Sequence, residues 1–223
     1  MPKNKLKKFA ENYQMPHVIQ PSFEEVFNKD YFLKNKWNQE EFKRMSPLIL
    51  ELGCGKGEYT VGLAENFPDK NFIGIDIKGA RIWYGAKASL EKGLKNVRFL
   101  RTRIDFLNSF FARNEVDEIW LTFPDPQKEK ERKRLTYDRF LMMYKEILKP
   151  EGKIHLKTDS DLLYEYTMNQ IEKTGMRIYQ NTPDLYADNQ NSQLPVYLKS
   201  IQTHYEKMFL KENKTIKYLC FGW

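Results

Sequence analysis

The sequence predicts an α/β fold: a mostly parallel β-sheet with helices on both faces. Three observations predict it. Short apolar runs alternate with helical stretches from residue 48 to 174, the rhythm of consecutive βαβ units. The run LILEL (48–52) is apolar at all but one position, as a strand covered on both faces requires. That run closes on a turn with glycines at 53, 55 and 57, where the chain reverses sharply into a helix.

The elements follow in order. After Pro47, LILEL is the first strand of the regular pattern and 58–66 its helix. NFIGID (71–76) is a second strand, and 79–93 a helix ended by Gly93. VRFLR (97–101) is a third strand and 105–113 a helix. VDEIWLTF (116–123) is a fourth strand, and 136–148 a helix stopped by Pro150. GKIHLKT (152–158) is a fifth strand, leading into a helix at 160–174. Beyond Gly175 the rhythm changes. MRIYQ (176–180) is a short strand, 182–195 a polar loop, 196–212 helical in its later part, and TIKYLCFGW (215–223) a terminal strand. Residues 1–46 are expected to form a basic N-terminal arm with a helical extension around 22–44, and 47–223 a single domain.

The 223 residues are 41% apolar and 14% aromatic, enough for a packed core and too much for a disordered chain. No apolar run reaches the ~20 residues of a membrane span, and the start MPKNKLKKFAENYQ lacks the apolar stretch of a secretory signal. The two cysteines, Cys54 and Cys220, have neither zinc-ligand nor disulfide-framework spacing. A cytoplasmic protein without a metal or a membrane partner is the expectation. Lys and Arg total 37 against 30 acids, a net charge of +7. That excess suits a polyanionic partner such as nucleic acid, and it also serves plain solubility.

Glu51-Leu52-Gly53-Cys54-Gly55-Lys56-Gly57 joins the first strand to its helix. In dinucleotide folds this turn holds a pyrophosphate, with a third glycine where Glu58 stands here. An acid at 51 repels a pyrophosphate and favours a cationic amino-acid ligand. S-adenosylmethionine, with its ammonium and sulfonium, is such a ligand. Asp76 ends the second strand, where a carboxylate can accept from ribose hydroxyls.

Phe123-Pro124-Asp125-Pro126 follows the fourth strand, and two prolines bracketing an acid leave Asp125 little backbone freedom. The Asn/Asp-Pro-Pro-aromatic motif of enzymes that methylate exocyclic amines is absent. Neither cysteine is placed to attack a pyrimidine. Residues 127–134 (QKEKERKR) hold five basic side chains; they read as a solvated face or as a cradle for phosphates beside a target base. Asp159 ends the fifth strand on the same sheet edge as Asp76 and Asp125. By periodicity alone, Thr203 and Glu206 read as helix surface.

These residues carry a family resemblance. ELGCGKG (51–57), RIWYGAK (81–87), FPDP (123–126) followed by a basic stretch and RLTY (134–137), KTD (157–159) and THYE (203–206) make the chain resemble the bacterial tRNA (guanine-N7-)-methyltransferases over about 45–223. The resemblance implies the class I methyltransferase (Rossmann-like) fold. That is a seven-stranded, mostly parallel sheet with helices on both faces, in order 3-2-1-4-5-7-6, the last strand antiparallel. It implies S-adenosylmethionine as cofactor, tRNA as partner, and methylation of a guanine in the tRNA variable loop, by a monomer or a homodimer. Methylation of another RNA or of a small metabolite is the alternative.

Carried over by residue, Glu51, Gly53, Gly55 and Asp76 match the cofactor positions. Asp125 matches the central active-site acid and lies near the cofactor. Lys128, Asp159, Thr203 and Glu206 match the substrate side. At the adenine-side positions this chain has Arg103 and Ile104 in place of the family's acid and alanine, with Asp105 the nearest acid. Lys130 rivals Lys128 as the substrate-side lysine, because Gln127 replaces an aromatic and the basic stretch is shorter. Guanine N7 carries a lone pair and no proton, so the implied reaction needs alignment and stabilisation of a developing purine cation, the role expected of Asp125 with Asp159 as helper.

Overall fold

The computed structural model describes residues 2–187 and 194–223. Helix α1 (Pro2–Gln14) and a two-residue strand β1 (Val18–Ile19) open the chain. A single turn α2 (Phe23–Val26) and a π-turn at Trp37–Glu41 follow. Then come β2 (Leu48–Leu52), α3 (Glu58–Asn66), β3 (Asn71–Asp76), α4 (Gly79–Glu91), β4 (Val97–Arg101), α5 (Leu107–Phe110) and β5 (Val116–Thr122). The second half contains α6 (Asp138–Ile147), β6 (Leu148–Thr158), α7 (Asp161–Thr174), β7 (Arg177–Thr182), α8 (Tyr197–Ser200), α9 (His204–Lys211) and β8 (Lys217–Gly222).

The strands form one sheet in the order β1-β4-β3-β2-β5-β6-β8-β7. Pairings from β1 to β6 are parallel, and β8 runs antiparallel to both β6 and β7. The α/β class, the parallel sheet and the antiparallel last strand agree with expectation. The strand count does not: the sheet has eight strands, not seven. The additional one is β1, laid along the outer edge of β4, where Phe99 N–H donates to His17 O at 2.9 Å. It covers a row of backbone groups that an edge strand otherwise leaves unpaired. Two residues are too few to show a period in sequence.

Apolar side chains fill two cores, one on each face. Leu48, Leu50 and Leu52 of β2 point to one, with Phe110, Phe140, Tyr144 and Leu163. Ile49 points to the other, with Tyr59, Leu63, Ile82, Ala86 and Leu198. The period of two along a strand thus serves both layers.

The N-terminal region departs from the sequence reading. The stretch around 22–44 is not a continuous helix, and residues 2–14 are one instead. Asn28, Asn35 and Lys43 adopt left-handed φ of 53°, 63° and 55°, which interrupts any helix there. The segment is held by its aromatic side chains. Trp37 is fully buried, stacks on Phe111 with ring centroids 5.5 Å apart, and donates its indole N–H to Phe110 O at 2.9 Å. Packing overrides helix propensity here. The loop expected over 182–195 lies partly outside the described residues, at 188–193.

Candidate active site

A cleft of about 860 Å³ opens along the carboxyl ends of the strands. Open α/β sheets bind ligands there, beside the strand at which the order reverses. Consecutive strand ends bring Asp76, Asp105, Asp125 and Asp159 into its wall, though they are far apart in sequence.

At the first strand end, Gly53 and Gly55 have φ of +76° and +57°, which β-carbon-bearing residues rarely adopt. A β-carbon on Gly53 would meet nothing within 4 Å, so this backbone faces open space. Gly57 does a different job: a β-carbon there would lie 2.6 Å from the Phe99 ring and 3.1 Å from Gly85 Cα. The turn is thereby pressed against α4. Asp76 accepts from Gly55 N–H at 3.0 Å and from Lys78 N–H at 2.8 Å, one on each oxygen. A carboxylate oxygen has two acceptor sites, so each keeps one for a ligand hydroxyl. Ile77 and Ile104 add apolar wall on the same side.

Glu51 does not reach the cleft wall. It is buried beneath the turn, where Thr60 donates both its backbone N–H (2.7 Å) and its hydroxyl, and Thr122 donates its hydroxyl to the other oxygen. Burial pushes its carboxyl up to about 7, against the opposing pull of those hydrogen bonds.

Past β5, Phe123 and Gln127 have left-handed φ of 49° and 47° and bracket the Pro-Asp-Pro segment. Phe123 N–H donates to Lys157 O at 2.8 Å, fixing where the turn begins. Asp125 accepts from Gln127 N–H at 2.9 Å through Oδ1, folding the turn over its own side chain. No hydrogen bond to its Oδ2 occurs among the described residues. Buried Arg134 secures the far end of the turn. Its Nε donates to Pro126 O at 3.1 Å, and its guanidinium lies 4.4 Å from the Tyr166 ring centre. A rim of cations surrounds the acids: Lys56, Lys78, Arg81, Arg103, Lys133 and Arg139.

Comparison with known proteins shows the family and the fold. Residues 45–219 match a family described as "Putative methyltransferase". The chain is 52% identical over 221 residues to the tRNA (guanine-N(7)-)-methyltransferase of Christiangramia forsetii, covering 98% of this chain and 97% of that one. It is 50% identical to the Bacteroides fragilis protein of the same name, over 99% of this chain and 86% of that one. The chain belongs to the tRNA (guanine-N(7)-)-methyltransferase family. The Streptococcus agalactiae member is 36% identical, covering 90% of this chain and 89% of that one. Among solved structures, the 16S rRNA methyltransferase KamB shares the fold with a TM-score of 0.62 at 13% identity, covering 84% of this chain and 93% of that one. A SAM-dependent methyltransferase from Aquifex aeolicus shares it with a TM-score of 0.53 at 16% identity, covering 95% and 96%.

Within this tRNA (guanine-N(7)-)-methyltransferase family member, the expected site residues fall into two groups. Gly53, Gly55, Asp76, Arg103, Ile104, Asp125, Asp159 and Thr203 line the cleft. Glu51, Lys128 and Glu206 do not. Lys128 is exposed beside the cleft, as is its rival Lys130, while Lys133 from the same basic stretch reaches the wall. Asp105 joins the wall between Arg103 (3.3 Å) and Arg139 (3.1 Å). Glu206 is fully buried, 2.7 Å from the ammonium of Lys157 and accepting from Tyr186 Oη at 2.7 Å. Thr203 caps α9, its hydroxyl accepting from Glu206 N–H at 3.1 Å.

Sequence reasoning gave no role to Thr60 or Thr122, read Arg134 only as part of the basic stretch, and quoted Lys157 only within the KTD motif. For Thr203 a signal was present, because Thr-x-x-Glu before an apolar helix is a capping pattern. For the other four, partners 8 to 71 residues away hide the function.

Proposed function

We propose that this chain transfers a methyl group from S-adenosylmethionine to N7 of a guanine in the variable loop of tRNA, forming 7-methylguanosine, in the cytoplasm and as a monomer or homodimer. The observation that carries the reading is the crown of carboxylates on successive strand ends, in a chain half identical along its length to relatives bearing that name. The residues present suit the cofactor: open glycine backbone at 53 and 55, the Asp76 carboxylate at a strand end, and apolar wall from Ile77 and Ile104. When bound, S-adenosylmethionine supplies a methyl group on a positively charged sulfur.

The chain's own residues supply the rest. Gly53, Gly55 and Asp76 hold the cofactor, with Arg103 and Ile104 on its adenine side. Glu51 supports the turn from beneath, its carboxyl accepting from Thr60 and Thr122. Asp125 accepts from guanine N1–H or its amino group and so orients N7. Its charge also opposes the positive charge that builds on the purine as N7 is alkylated. Asp159 and Thr203 border the substrate side, and Lys128 meets a flanking phosphate. The basic rim disfavours a small-metabolite acceptor.

Incubation with unmodified tRNA and labelled cofactor, followed by mapping of the modified base, tests the reading. Label on N7 of a variable-loop guanine is expected; label elsewhere, or none, removes it. Asp125→Ala at saturating cofactor is expected to lower turnover by about 100-fold or more. Near-normal turnover would take Asp125 out of the mechanism.

A further inference from the structure

We infer that α1 is an RNA-backbone-binding element continuing the basic rim of the cleft, its occupant being the ribose-phosphate chain of the tRNA whose base enters the cleft. The inference rests on the proposed function and names a surface that function does not require.

Three contacts dock α1 on α4 at the cleft's edge. Buried Asn12 donates its amide to Gly79 O at 2.8 Å, and Trp83 donates its indole N–H to Glu11 at 2.5 Å. The Phe9 ring occupies the space a β-carbon on Gly79 would need, 2.7 Å away. Gly79 opens α4 only three residues beyond Asp76, so the docked helix stands beside the cofactor end of the cleft.

The docked helix brings unbalanced charge with it. Lys8 places its ammonium 3.8 Å from the centre of the Tyr84 ring, and Lys56, from the glycine turn, stands 5.6 Å from the same ring. Tyr84 is 43% exposed. The ring thus links a cation of the cleft wall to a cation of α1. Within α1 the one ion pair among the described residues is Lys7 with Glu11, at 3.8 Å. Lys5 and Lys8 have no carboxylate partner there. Lys8 and Lys56, facing one ring with no carboxylate partner among the described residues, present positive potential that attracts an anion. Lys78 and Arg81 line the cleft wall with Lys56. A phosphate chain leaving a base in the cleft therefore meets α1 next. A helix of 13 residues spans about 20 Å, enough for several phosphates.

The test compares Lys5→Gln/Lys8→Gln with Lys95→Gln, an exposed lysine just before β4 at the opposite end of the strands. Glutamine is close to lysine in helix propensity, so α1 keeps its fold, which circular dichroism checks. Affinity for unmodified tRNA is measured over a salt series, with adenosylhomocysteine affinity alongside. The double variant is expected to bind tRNA about tenfold more weakly near 0.1 M salt, with a salt slope shallower by roughly one to two. Adenosylhomocysteine affinity stays at the wild-type level. Wild-type affinity and slope in the double variant, or an equal loss in Lys95→Gln, overturns the inference. Failure of the wild-type protein to methylate tRNA would instead sink the function on which it rests.

Discussion

Glu51 shows how burial changes what a carboxyl does. From sequence it reads as a negative charge beside the glycine turn. In the fold it lies under that turn, with three donors from Thr60 and Thr122. Its folded pKa of about 7 stands above the ordinary 4.5, so folding favours the protonated form. That contribution is fully present below about pH 4.5 and is lost as pH rises toward 7, on the order of 3 kcal/mol in all. Urea unfolding between pH 5 and 8 should show stability falling with pH, and Glu51→Gln should flatten the fall. Equal slopes in the two proteins would mean that this carboxyl does not titrate in that window. His155 makes the same point for a base. It is buried, its ring stacked on Trp120 at 3.9 Å with its ring nitrogen 3.4 Å from Glu118. Its partners make it part of the sheet core, and it does not line the cleft.

At the level of elements, one lysine couples two segments of the site. Lys157 on β6 accepts from Phe123 N–H through its carbonyl, which anchors the Phe-Pro-Asp-Pro turn. Its ammonium donates to Leu198 O at 2.5 Å and pairs with Glu206 at 2.7 Å, which anchors α8 and α9. Those helices carry Thr203, His204 and Tyr205 into the cleft. Burial holds the Lys157 ammonium below its usual pKa, while Glu206 pulls the other way. Lys157→Met would leave a buried, unpaired carboxylate and should cost about 3–5 kcal/mol in urea unfolding. Lys157→Met/Glu206→Leu should recover much of that loss. A single-variant cost near zero would show that the pair does not hold these helices. The strands of this region were legible because each is a compact apolar run between turn residues. Lys157 and Glu206 were not, because 49 residues separate them and neither burial nor pairing leaves a local period.

Across the whole molecule, the sheet order puts the ends of β3 and β4 on one side of β2 and those of β5 and β6 on the other, and residues from both sides line the cleft. A ligand lodged there touches both sides and stabilises the folded chain by mass action. Adenosylhomocysteine at 100 times its Kd should add about 2.7 kcal/mol, a rise in Tm of roughly 5–10 °C for a chain of this size. An unmoved melting transition at that concentration would place the ligand elsewhere or nowhere. Sequence by itself determined the α/β alternation, the glycine turn, the acids at the strand ends and the family. Each of these is written in residues close together, through hydrophobic period or local backbone need. Only tertiary structure decided that β1 pairs with β4, that 22–44 is a strap held by Trp37, and that α1 docks on α4. It likewise decided that Glu51 and Glu206 turn inward while Asp125 faces the cleft. Those outcomes depend on which distant surfaces exclude water together, and no stretch of neighbouring residues encodes that.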